Sequence, residues 1–138
     1  MVLQMSAKLS MLRLTSNPRN ISQLEPFVKR AVEKYKLSPD QYGNILISVT
    51  EAVNNAIIHG NRNDESKTVR ISLKKQEESL AIRVSDEGRG FDFRSLPDPT
   101  TPECLEKCGG RGVFLMQQLS DRIKFDNNGS TVEMLFSL

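Results

Sequence analysis

Glu51, Asn55 and His59 recur at four-residue intervals in a segment with helical periodicity, so one side of a helix carries a carboxylate, an amide and an imidazole. A carboxylate there can accept a proton or orient a water. The neutral oxygen of Asn55 can join a Mg²⁺ shell made mostly of water and phosphate. Spacing by four lets Glu51 and Asn55 reach one ligand. His59 is placed near the helix C-terminus, where capping or hydrogen bonding is its commoner role, and it supports the pair.

Two glycine-rich segments follow in the order a single nucleotide site would need. In Asp86-Glu87-Gly88-Arg89-Gly90 the aspartate closes a strand, where a carboxylate can accept the exocyclic amine of an adenine. A turn aspartate next to Gly88 and Gly90 explains the same residues equally well. Those two glycines would let the backbone approach a flat ring. Gly109, Gly110 and Gly112 precede a helix whose free N–H groups could hold phosphates. No Gly-Lys-Ser/Thr occurs, and no glycine cluster opens a helix after the first strand. Both the Walker A loop and the Rossmann fingerprint are therefore excluded.

The elements that must position these residues follow from periodicity. Ser10 to Thr15 alternates as a strand, Ile21 to Leu37 carries one apolar helical stripe, and Ser38-Pro39-Asp40-Gln41 is a capping box opening a second helix. That helix is expected to stop near Gly60 with a left-handed cap. Its polar stripe runs Asn44, Ser48, Glu51, Asn55, His59, and short amides and a hydroxyl in place of Lys and Glu pairs suit a lined pocket. Val69 to Leu73 and Leu80 to Val84 form a hairpin through Gln76 to Ser79. Phe93 to Cys108 is predicted as a long loop, Gly112 to about Leu119 as a short helix, and Ile123 to Asp126 and Thr131 to Phe136 as a hairpin on Asn127-Asn128-Gly129. The fold class expected is α+β, a two-layer α/β sandwich: a mixed, mostly antiparallel sheet of about five strands with about three helices on one face.

The chain has 138 residues, 26% of them charged, with a formal net charge of +2, which suits one domain with one core over residues 1–138. Basic residues are scattered without aromatic interleaving, so no nucleic-acid partner is expected. No long apolar run or signal-peptide core occurs, so neither membrane insertion nor export is expected, and the location expected is cytoplasmic. Cys104 and Cys108 with a single histidine supply too few ligands for zinc, leaving two reduced thiols in a loop.

Taken together the segments resemble the Bergerat-fold (GHKL) ATPases. Glu51 to Gly60 looks like the N box, Asp86 to Gly90 the first glycine box, and Gly110 to Met116 the second, with the intervening loop as an ATP lid. Within that superfamily the chain is most similar to bacterial anti-sigma-factor serine/threonine kinases, through Glu51-Ala52-Val53, Ile57-Ile58-His59-Gly60 and Thr100-Thr101-Pro102-Glu103. The resemblance implies ATP and Mg²⁺ as cofactors, Glu51 as catalytic base, Asn55 as metal ligand and Asp86 as adenine reader. It implies nucleotide contacts from Gly88, Gly90, Gly110 and Gly112, with His59 in the same site, Thr100 or Thr101 at the phosphates and Thr131 near the adenine. It also implies a sigma factor and an anti-anti-sigma (antagonist) protein as partners, a serine on the latter as phosphate acceptor, and a homodimer. Cys104 and Cys108 have no counterpart in the family pattern.

Two other readings fit the same boxes. An ATP-binding switch without phosphotransfer needs Asn55 and Asp86 but no base. A stand-alone histidine-kinase-type catalytic domain would need a phosphoacceptor histidine outside the N box, and His59 is the only histidine.

Overall fold

Alternation puts Leu12 and Leu14, Ile71 and Leu73, Ile82 and Val84, and Met134 and Phe136 on one side of extended chain, and all eight are buried in a common core. The structure, a computed structural model, describes residues 2–5, 9–88 and 110–138. Its strands are β1 (Val2–Met5), β2 (Leu9–Thr15), β3 (Thr68–Lys75), β4 (Ser79–Ser85), β5 (Arg122–Asp126) and β6 (Thr131–Ser137). They make one sheet in the order β1-β2-β3-β4-β6-β5. The alternate residues leave the other face polar, where Arg83 reaches Glu133 at 3.6 Å and Asp126 at 3.8 Å. Such half-exposed pairs contribute at most about 1 kcal/mol each.

Among the described residues three helices form the second layer: α1 (Leu24–Tyr35), α2 (Pro39–Asn55) and α3 (Gly110–Leu119), with α2 touching both of the others. The two-layer α+β sandwich is thus as the residue pattern predicts, with two differences. β1, which precedes every strand expected from sequence, adds a sixth member through pairings from Val2↔Arg13 to Met5↔Ser10. Every described strand pair is antiparallel instead of mixed. The reason is the connections: α1 and α2 run out and back between β2 and β3, so the chain re-enters the sheet reversed. Among the described residues α3 stands between β4 and β5, and β6 inserts between those two strands.

Local chemistry sets the helix ends. Residues Pro18–Gln23 form a 3-10 turn, so α1 starts at Leu24, later than Ile21, and it stops at Tyr35 because Lys36 takes a left-handed φ of 56°. α2 opens on the expected capping box, with Gln41 N–H donating to Ser38 Oγ at 3.2 Å and Ser38 N–H to Gln41 Oε1 at 2.8 Å. Inside, the Ser10 and Tyr35 hydroxyls pair at 3.2 Å, joining β2 to α1.

The far end of α2 departs from expectation. Beyond Asn55 the chain widens into a π turn, Ala56–Gly60, in which Ala56 C=O accepts the N–H of Asn61 at 2.8 Å. Gly60 has no positive φ, so it is not the left-handed cap expected. Arg62 and Asn63 take that conformation instead, at 52° and 59°. Gly60 is glycine for another reason: a Cβ there would overlap the carboxyl group of Asp86. The hairpin of β5 and β6 also turns less tightly than Asn-Asn-Gly predicts, through a 3-10 turn at Asn127–Gly129 with φ of 53° at Asn127 and 93° at Gly129.

Candidate functional site

The wide turn after α2 places the end of the helix beside the C-terminal end of β4, and a cavity of about 300 Å³ opens there. Its walls come from four places in the chain: Asn55 and the residues around it, Asp86 after β4, Met116 on α3, and Phe125 to Val132 around the last turn. Ala52, Ala56, Val84, Met116, Phe125 and Val132 make most of the wall apolar. Few and fixed polar groups on an apolar wall are the usual make-up of a small-molecule site.

Asp86 is the most constrained of those groups. Its N–H donates to Ser130 C=O at 2.9 Å, which ties the end of β4 to the turn before β6. Its Oδ1 accepts the N–H of Gly88 at 2.8 Å. Burial raises its pKa above the ordinary aspartate value, while the Gly88 hydrogen bond and the positive charge of Lys67 act the other way. Gly88 in turn lies against Gly60, whose carbonyl a Cβ at position 88 would overlap. The close approach made by this glycine is therefore to protein backbone.

Asn61, which sequence reasoning passed over, locks this arrangement. It is 1% exposed, and its side chain donates to Ser16 Oγ at 2.8 Å and to Thr68 C=O at 3.0 Å and accepts the N–H of Glu87 at 2.8 Å. One amide thus joins the ends of α2, β2, β3 and β4 beneath the Asp86 loop. Buried polar groups satisfied this fully specify a single geometry. A lone Asn after Gly60 reads as a turn residue, and only the fold brings its partners together.

The structure describes residues 14–88 and 110–136 of the segment 14–136 that matches the family described as histidine kinase-like ATPase domain. The chain belongs to that family. The serine-protein kinase RsbW of Bacillus subtilis is 27% identical over 132 residues, covering 89% of this chain and 81% of that protein. RsbW of Oceanobacillus iheyensis is 25% identical over 130 residues, covering 90% and 82%. The anti-sigma F factor of Anoxybacillus flavithermus is 34% identical over 126 residues, covering 83% and 85%.

Within this histidine kinase-like ATPase domain, the residues singled out from sequence fall in different places. Asn55, His59 and Asp86 line the cavity together. Glu51, one turn before Asn55 on α2, is half-buried and outside the lining. The polar stripe does not continue along the helix as a pocket wall: Asn44 is exposed, and Ser48 is fully buried with no hydroxyl partner among the described residues. Gly110 and Gly112 form the first turn of α3, which begins two residues earlier than expected. Gly90, Thr100, Thr101, Cys104 and Cys108 lie outside the described residues. Thr131 is beside the cavity and not on its wall. It is 3% exposed, with its hydroxyl paired to Ser85 Oγ at 3.0 Å and to Asn127 Nδ2 at 3.3 Å. Val132, the next residue of β6, faces the cavity in its place, because successive strand residues point to opposite sides.

Gly129 and Ser130 on the wall were legible only as turn residues, and Arg62 only as a charge in a loop. Among the described residues no cluster of three His, Cys, Asp or Glu side chains could hold a metal. No described helix is long and apolar enough to cross a membrane.

Proposed function

We propose that this protein binds Mg-ATP in the cavity and transfers the terminal phosphoryl group to a serine or threonine of a protein partner. The observation that carries the reading is that Asp86, Asn55 and a predominantly apolar wall share one cavity with Met116 of α3, the helix that opens on Gly110 and Gly112. The donor set fits this ligand. Apolar walls suit a flat ring, the Asp86 carboxylate can accept an exocyclic amine, and the N–H groups opening α3 can hold phosphate. Asn55 offers one neutral oxygen to Mg²⁺, which takes few protein ligands and keeps water and phosphate around it.

Bound Mg-ATP supplies the transferable phosphoryl group and the charge that offsets its oxygens. The protein's part is to orient and to move one proton: Asp86 fixes the base, Asn55 the metal, the Gly110 to Gly112 turn the phosphates, and Glu51 takes the proton of the incoming hydroxyl. Gly90, Thr100 or Thr101 and His59 complete the contacts in this reading, with Gly88 seating the Asp86 loop on Gly60 and Thr131 supporting the wall from the side through Ser85. The names of the relatives, serine-protein kinase and anti-sigma F factor, support an anti-sigma kinase. Its acceptor is then an anti-anti-sigma protein, its second partner a sigma factor, and the working form a cytoplasmic homodimer of single-domain chains.

A nucleotide-dependent switch without transfer is favoured by one observation, the position of Glu51 outside the cavity lining. One experiment separates the two: labelled ATP, Mg²⁺ and the proteins encoded beside this one, with wild type and Glu51→Gln. Kinase chemistry gives labelled serine or threonine on a partner and a loss of about 10²–10⁴ in rate with Glu51→Gln, at unchanged ATP affinity. ATP-dependent partner binding without label leaves the switch, and labelled histidine would point to two-component chemistry.

A further inference from the structure

Arg62 lines the cavity, is exposed, and has neither an ion pair nor a side-chain hydrogen bond among the described residues. Its backbone is held in the left-handed region, as is that of Asn63, although neither is glycine. Such a conformation costs about 1–2 kcal/mol per residue for a side chain with a Cβ, so the turn must be held by its surroundings. It is: Asn61 N–H donates to Ala56 C=O and Asn63 N–H to Ile57 C=O, both at 2.8 Å, and the Asn61 side chain is buried and fully bonded.

Gly60, two residues before Arg62, packs on the Asp86 carboxyl, Asp86 N–H is held by Ser130 C=O, and Arg62, Asp86 and Ser130 all line the cavity. A guanidinium and a half-buried carboxylate thus line one cavity, with no ion pair between them among the described residues. Resting on the ATP-binding reading above, we infer that Arg62 is a base-binding residue, its planar guanidinium stacking on the adenine ring whose edge Asp86 reads. A guanidinium is planar, always charged and weakly hydrated, and it stacks on aromatic faces in a way that an ammonium does not reproduce. Contact with the base, and not with phosphate, is inferred from the chain neighbourhood of Arg62, two residues beyond the Gly60 that packs on Asp86, with Asn55 and the first turn of α3 assigned to the phosphates in the reading above.

The test is calorimetric titration of wild type, Arg62→Ala and Arg62→Lys with ATP, ADP and adenosine, with thermal unfolding of each variant as the check on folding. Stacking predicts that Arg62→Ala weakens all three ligands by a similar factor, roughly fivefold to thirtyfold, and that Arg62→Lys recovers little of it. A loss confined to ATP and ADP, a full rescue by lysine, or unchanged affinities would each overturn the inference while leaving the ATP site standing. Wild-type protein that binds none of the three would overturn the functional reading itself.

Discussion

Burial holds the Asp86 proton more tightly in the folded chain than in the unfolded one, against the opposing pull of the Gly88 amide and Lys67. The sign of the linkage follows. Asp86 contributes stability below the unfolded aspartate value and loses it as pH rises through the raised native value, so at neutral pH the ionised carboxylate is a cost. Reading an exocyclic amine needs that ionised form. ATP affinity should therefore fall on acidification at a pH above the range in which an ordinary aspartate protonates, measurable by titration across a pH series. Asp86→Asn should leave the unfolding midpoint unchanged or raised at neutral pH while weakening ATP binding by tenfold or more, since its amide can still accept from Gly88 but can present a donor to the amine. Asp86 was legible at this scale as the end of an alternating strand. The burial that shifts its proton equilibrium was not, because it depends on segments distant in the chain, Gly60 lying against the carboxyl and Ser130 C=O holding the Asp86 N–H.

At the scale of elements, the site is where four ends meet, and Asn61 is what joins them. Asn61→Ala would strip Ser16 Oγ, Thr68 C=O and Glu87 N–H of a buried partner. We expect a loss of about 2–4 kcal/mol in urea unfolding, with ATP affinity falling too because the Asp86 loop loses its support. The elements themselves were readable from local chemistry: the capping box of α2, the β3–β4 hairpin with Gln76 N–H on Ser79 C=O at 2.8 Å, and the apolar spacing of α3. The π turn was not. An α-helical continuation of α2 satisfies the same apolar spacing, and what selects the wider turn is the packing of Gly60 against Asp86 and of Gly88 against Gly60, contacts between segments more than twenty residues apart.

For the whole molecule, a ligand that binds only the folded state adds stability by mass action. Mg-ATP at about a hundred times its dissociation constant should raise unfolding free energy by about 2.7 kcal/mol, read as an upward shift of the thermal midpoint. GTP should give far less, because guanine presents a carbonyl oxygen where Asp86 requires an amine. The polar face of the sheet, with Arg83 between Glu133 and Asp126, should be insensitive to either nucleotide.

The layers and the cast of residues are local properties of the chain. Alternation with period two and stripes with period 3.6 are written in each segment and need no partner to be read, and the three boxes stand in order along the chain. Which of those residues meet is a property of the folded molecule. Folding brings Asn55, His59 and Asp86 to one wall, keeps Glu51 outside it, turns Thr131 aside in favour of Val132, and adds Arg62, Gly129 and Ser130. The reason is physical: facing direction depends on strand parity, on the width of the last helical turn and on contacts between distant segments, none of which is a property of local sequence.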